Sequence, residues 1–194
     1  VNHNKILLIN PSLKRPEGVS KRKRVVPVGI PLGIGYLAAY LAEKKAEFEI
    51  YDERLEPLYD EKLERLVKEK NISVVGLSCT TPFIYRGLDL ARAVKKASKD
   101  IRVILGGVHP SVMPEECLQN ENVDYVVRHE GEVTLFELLK SFDGELEIRD
   151  VKGVSYKKNG GIIHNPERRA IDNLDSLPPF PFHLFKDSEG KILF

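Results

Sequence analysis

The sequence predicts an α/β fold, a five-stranded parallel sheet with helices on both faces. Three observations predict it. Short apolar runs of strand length alternate five times with amphipathic stretches of helix length. The run at 73–78 (SVVGLS) is apolar on both faces, as suits a central parallel strand covered above and below. The run at 47–52 (EFEIYD) alternates apolar and polar positions, as an edge strand does.

The elements follow in order. Residues 5–10 (KILLIN) read as the first strand. Residues 31–44 (PLGIGYLAAYLAEK) read as the first helix, with Pro31 in the first turn, where its missing N–H costs nothing. Ile34, Leu37, Ala38 and Leu41 fall on one face of it. After the edge strand, residues 60–70 form a helix capped by Asp60, with Leu63, Leu66 and Val67 inward. The central strand leads to a helix at 83–97 striped by Ile84, Leu88, Ala91 and Val94. A strand at 101–105 (IRVIL) ends at Gly106-Gly107. Residues 114–119 make a short helix and 124–127 a fifth strand. Residues 132–142 make the last helix, with Leu135, Leu138, Leu139 and Phe142 inward. Right-handed crossovers leave few topologies. Placing the half-polar second strand at an edge selects the flavodoxin-like (Rossmann-like) order 2-1-3-4-5.

Residues 1–145 are expected to form this domain. Beyond them the pattern changes. Residues 153–157 and 161–164 flank Lys158-Asn159-Gly160, and Asn-Gly is a strong hairpin signal. Residues 146–170 therefore read as an appended β-hairpin. Residues 173–181 (NLDSLPPFP) hold three prolines and few periodic apolar positions, so 171–194 reads as a linker toward a further domain.

Composition narrows the function. At 42% hydrophobic and 30% charged residues, the chain can bury a core and is not a disordered tail. A formal net charge of +1 supplies no global field for nucleic acid or membrane. The longest apolar runs are far short of a membrane span, and with no export signal in view the cytoplasm is the expected compartment. Cys79 and Cys117 match no zinc or cluster spacing and sit in apolar segments, which reads as two buried thiols. The basic run at 21–24 (KRKR) reads as a solvated loop, or as a contact for a phosphate or a second domain; without interleaved aromatics it points away from nucleic acid.

In an open α/β sheet, ligands bind beyond the carboxyl ends of the strands. Those ends are Asn10-Pro11-Ser12, Ser78-Cys79-Thr80-Thr81, Gly106-Gly107-Val108-His109-Pro110 and Arg128-His129-Glu130-Gly131-Glu132. Small residues, hydroxyls and glycines suit a large, mostly neutral ligand with amide and phosphate groups. Each loop also has a plain alternative. Gly106-Gly107 can be a tight turn, Thr80 or Thr81 a helix cap, and Glu130 and Glu132 a complement to a helix dipole. Other chemistries fit worse. A phosphoacceptor receiver needs acidic residues after the first strand, an Asp after the third and a Lys after the fifth, where Asn10, Ser78 and Arg128-His129 stand. The first loop lacks the G-x-G-x-x-G of a dinucleotide site. No Ser/His/Asp, Cys/His or paired-carboxylate constellation is readable.

Three segments carry a resemblance: G-I-P-L-G-I-G-Y-L-A-A-Y-L (29–41), G-G-V-H-P-S-V-M-P-E-E (106–116) and H-E-G-E-V-T-L-F-E-L-L (129–139). Together they resemble the N-terminal cobalamin-binding domain of cobalamin-dependent radical S-adenosylmethionine (SAM) enzymes, over residues 5–142 in order. The D-N-L-D-S-L-P-P-F-P segment (172–181) resembles the linker before their radical SAM barrel. The resemblance implies base-off cobalamin at the carboxyl edge of the sheet. It implies binding by Asn10, Pro11, Ser78, Cys79, Thr80, Thr81, Gly106, Gly107, Val108, His109, Pro110, Glu130, Gly131 and Glu132. Ser78, Thr80, Gly106 and Gly107 match the S-x-L and G-G path along the nucleotide tail, with Thr80 in the place of Leu, and Gly107→Val is expected to crowd that path.

The implied partner is the radical SAM barrel of the same parent, a methyltransferase or an anaerobic magnesium-protoporphyrin ester cyclase-like enzyme. Its [4Fe–4S] cluster and SAM would sit in that barrel, because two distant cysteines cannot supply C-x-x-x-C-x-x-C. The family's D-x-H-x-x-G is absent from the first loop, which reads N-P-S-L-K-R, so no histidine is offered there to cobalt. His109 lies on another loop and fits a turn or tail contact. His129 stands where relatives often have glycine. The alternative is a degenerate domain that keeps the fold, binds no cofactor, and packs on the barrel or a second subunit.

Overall fold

The computed structural model describes residues 4–12 and 29–185, and the basic run at 21–24 lies outside them. Seven strands, β1 (Ile6–Asn10), β2 (Phe48–Asp52), β3 (Val74–Ser78), β4 (Arg102–Gly106), β5 (Tyr125–Val127), β6 (Val154–Lys158) and β7 (Gly161–His164), form one sheet in the order β2-β1-β3-β4-β5-β6-β7. The first five are parallel, in the expected order 2-1-3-4-5. The half-polar β2 is at the edge, as its alternation requires.

Hairpin β6–β7 continues this sheet. It pairs antiparallel with β5, setting Tyr125 opposite Tyr156 and Val127 opposite Val154. The three-residue β5 would otherwise end the sheet as an open edge, and pairing covers its backbone groups. Val151, Val154 and Tyr156 bury their side chains in the same act.

The helices are α1 (Leu32–Glu43), α2 (Asp60–Glu69), α3 (Ile84–Ala97), α4 (Val108–Val112), α5 (Pro114–Gln119) and α6 (Glu132–Phe142). Strand alternation divides the core in two. Leu7, Ile9, Val75, Leu77, Val103 and Leu105 face α2, α3 and α5. Ile6, Leu8, Val74 and Ile104 face α1 and α6. Boundaries shift by a residue where caps decide them. Pro31 occupies the position before α1, and Asp60 is the first residue of α2 with Tyr59 before it, so its charge faces the helix dipole without a capping bond. Thr81–Phe83 form a 3₁₀ turn ahead of α3, and Thr80 caps it with no side-chain bond.

The proline-rich segment after β7 folds back onto the domain. Phe185 is buried among the α1/α6-side core residues, and Phe180 packs beside it. Arg168 reaches the Glu137 carboxylate and donates to Thr134 Oγ1 at 2.8 Å. Among the described residues no helix is long and apolar enough to cross a membrane.

Candidate functional site

A cavity of about 260 Å³ opens at the carboxyl edge of the sheet, between the N-terminal ends of α1 and α6. Its origin is a local failure of side-chain filling. The period of two puts Val74, Gly76 and Ser78 of β3 on the face that also carries Ile104 and Gly106 of β4. At Val74 the layer is filled by a fully buried side chain. Nearer the edge, Gly76 and Gly106 have no side chain to project, and the helices stand over a gap floored by Leu8 and Ile104. Ile34 and Leu37 of α1, Val127, and Leu135 of α6 make apolar walls.

Two loops stitch the rim. Cys79 N–H donates to Gly106 O at 2.7 Å, and His109 N–H donates to Cys79 O at 3.2 Å. Gly107 lies between them at φ 95°, in the left-handed region, and a Cβ there would stand 2.8 Å from Cys79 O. A side chain at 107 therefore strains the backbone as well as colliding with the Cys79 backbone. On the other side, His129 also has a positive φ of 60°. Its N–H donates to Ser111 Oγ at 2.7 Å. That conformation is one glycine adopts without steric cost.

Glu132 begins α6 and lines the cavity. Burial pushes its carboxyl above the usual carboxylate range, the nearby Glu130 adds to this, and backbone N–H groups of Glu132 and Gly131 oppose it. Its Oε2 is buried and has no hydrogen-bond partner. Glu130 is exposed on the rim, where its Oε2 accepts from Ile171 N–H at 2.6 Å, tying the C-terminal segment to the site.

Of the residues expected at the site, the structure gathers Ser78, Gly106, Gly107, Glu130, Gly131 and Glu132 around this cavity. The remainder lie off it. Asn10 donates to Asp52 Oδ1 at 3.0 Å, and Pro11 is buried beside it. The Cys79 thiol points into the opposite core, where burial pushes it up to about 12; Cys117 in the same core rises to about 11, and both thiols are free. Thr80 and Thr81 are exposed, with Thr81 Oγ1 3.4 Å from His109 Nδ1. Val108 is exposed, Pro110 is buried, and His109 is buried with its Nε2 3.9 Å from Glu116. Sequence reasoning missed the floor and walls: Leu8, Gly33, Ile34, Leu37, Gly76, Ile104, Val127 and Leu135. The available signal was Gly76, since a glycine inside an otherwise apolar central strand marks a place where something approaches closely. Among the described residues no group of three His, Cys, Asp or Glu side chains is placed to hold a metal ion.

Comparison with known proteins adds a family. The model of the B12 binding domain matches residues 22–139. The uncharacterized methyltransferase PH0819 of Pyrococcus horikoshii is 34% identical over 176 residues, covering 90% of this chain and 37% of that protein. The anaerobic magnesium-protoporphyrin IX monomethyl ester cyclase of Rubrivivax gelatinosus is 27% identical over 155 residues, covering 77% and 28%. The chain thus spans about a third of the length of these relatives. Among solved structures, the cobalamin-dependent SAM radical enzyme OxsB, with aqua-cobalamin and S-adenosylmethionine bound, superposes with a TM-score of 0.67 at 22% identity. That match covers 86% of this chain and 22% of the other, and shows a shared fold.

Proposed function

The chain belongs to the B12-binding domain family, and on that footing we propose that it holds cobalamin base-off, with the nucleotide tail in the cavity between α1 and α6 and the corrin over the carboxyl edge of the sheet. The observation that carries this reading is the cavity itself. The tail of cobalamin ends in a flat, largely apolar benzimidazole joined through ribose and phosphate to the corrin. The walls fit it: Leu8, Ile34, Leu37, Ile104 and Leu135 offer apolar surface, and the missing side chains at Gly76 and Gly106 leave the slot its depth. Ser78 and Glu132 offer polar atoms at its edge. Burying the base there excludes water from it and fixes how the rest of the cofactor leaves the sheet.

When bound, cobalamin supplies a cobalt centre able to carry a methyl group, and the protein supplies grip and orientation. Residues 1–145 would hold the cofactor, with 146–170 extending the sheet and 171–194 leading onward. The relatives are about three times as long, and include an uncharacterized methyltransferase and an ester cyclase. We therefore read the chain as the cobalamin module of such a radical SAM enzyme, whose [4Fe–4S] cluster and SAM belong to a barrel outside these residues. A degenerate, cofactor-free domain would be expected to fill the gap with its own side chains. The open slot favours binding.

The test is retention. The chain is mixed with hydroxocobalamin or with cobinamide, which lacks the nucleotide tail, desalted, and read by its visible spectrum. Retained cobalamin with poorly retained cobinamide is the expected outcome. A colourless protein in both cases would overturn the proposal.

A further inference from the structure

We propose that the Glu132 carboxyl is the hydrogen-bond partner of the one unsubstituted ring nitrogen of the nucleotide base, and that this contact selects the corrinoid by its tail and keeps the base off cobalt. The inference rests on the tail occupying the cavity, and it adds a determinant that shape alone does not supply.

Among the described residues that line the cavity, Glu132 alone carries a buried side-chain polar atom left unpaired; His109 and Arg128, which also carry such atoms, lie outside the lining. A buried polar group without a partner is unfavourable, so the occupant that fits best brings a complementary atom to that point. Apart from Ser78 at the end of β3 and His129 on the rim, the surrounding floor and walls are aliphatic or glycine, and the nearby Glu130 is already engaged by Ile171 N–H. Glu132 is also held in place. It is the first residue of the eleven-residue α6, and the amides of the helix start lean on its carboxyl.

The chemistry closes. Benzimidazole in the nucleotide has one ring nitrogen with a free lone pair, the same pair that would otherwise bind cobalt. One proton shared between that nitrogen and Glu132 occupies the pair, whether the proton rests on the carboxyl or on the ring. The raised carboxyl of Glu132 favours the neutral acid as donor. No bond is made or broken beyond the hydrogen bond, and no further reactant is needed.

The test uses the whole chain as wild type, Glu132→Leu and Glu132→Gln, each titrated with cob(II)alamin and with cob(II)inamide. Affinity is read by retention, and ligation by nitrogen superhyperfine splitting in the electron paramagnetic resonance spectrum. Wild type should bind cob(II)alamin without nitrogen splitting. Glu132→Leu should lose roughly tenfold or more in affinity for it, the worth of a buried hydrogen bond. Glu132→Gln, whose amide N–H can donate to the same lone pair, should stay within about threefold of wild type. All three should bind cob(II)inamide alike.

If Glu132→Leu binds cob(II)alamin like wild type, or loses cob(II)inamide to the same degree, the proposal falls while the cavity reading stands. If wild type itself does not distinguish the two corrinoids, the tail is not in the cavity and both readings fall.

Discussion

The ring of Phe180 occupies the space that a side chain at Gly35 would need: an ideal Cβ at Gly35 would stand 2.1 Å from Phe180 Cε2 and 2.2 Å from Cζ. Phe180 meets Tyr36 edge-on at 5.4 Å and stacks on Phe185 at 5.5 Å. A segment that reads as a linker is therefore packed into α1 at a position cleared for it. Gly35→Ala should destabilise the chain by about 1–3 kcal/mol through overpacking, seen as a lower denaturation midpoint. Removing the ring as well, in Gly35→Ala/Phe180→Ala, should recover part of that loss in a double-mutant cycle. Strictly additive effects would mean that the two residues do not touch.

Gly33 offers the opposite case. It lines the cavity, and nothing lies within 4 Å of the Cβ it lacks. Gly33→Leu should fill cofactor space while leaving stability unchanged or slightly raised, since leucine is the better helix former. Gly107→Val should lose both cofactor retention and stability, because of its positive φ and its contact with Cys79. Parallel melting and cobalamin-retention assays separate the two. Equal stability losses would show that Gly33 is not open as described.

The carboxyl edge near β1 and β2 is held by a buried ion pair. Arg86 Nη2 lies 2.6 Å from both Glu53 Oε1 and Leu58 O, while Glu53 accepts from Ser12 N–H at 3.0 Å and Leu58 N–H at 3.2 Å. Both side chains are almost wholly buried, at 5% and 3% exposure. Arg86→Met should cost about 3–5 kcal/mol in urea denaturation, because it strands the Glu53 charge. Arg86→Met/Glu53→Leu should be less damaged than Arg86→Met alone. A single variant within 1 kcal/mol of wild type would place the pair in solvent.

The two thiols give a pH prediction. Burial raises Cys79 to about 12 and Cys117 to about 11, against an ordinary thiol near 9. Both groups are acids whose neutral form the fold favours. Their contribution is complete below pH 9 and is lost as pH rises through 11 and 12. Native protein at pH 8 should resist iodoacetamide at both positions by mass spectrometry, and unfolded protein should react fully. Rapid native alkylation of Cys79 would contradict its burial.

Much of the framework was legible in the residues. The runs at 114–119 and 132–142 match α5 and α6 to the residue, because both are short amphipathic stretches with unambiguous starts at Pro114 and Glu132. The order of the parallel strands followed from the half-polar β2. The site was only half legible. The loops at 78, 106–107 and 130–132 were found because loops at strand ends advertise themselves by glycine and polar residues. The walls were not, because Leu37 and Leu135 belong to apolar stripes, and a stripe looks the same whether it meets a core or a void.

The sequence by itself determined which segments are strands and helices and how they follow one another, since periodicity and turn residues act within about a dozen positions. Only the tertiary structure decided where matter is missing and what covers what. Gly76 pairs with Ile104, and Ser78 with Gly106, across two strands separated by a whole helix, and the cavity exists only once that register is set. The hairpin on β5 and Phe180 over Gly35 are decided in the same way, by contacts between residues far apart in the chain. Close packing is a property of the assembled layers, and a chain read in one dimension does not show which neighbours will fill a given space.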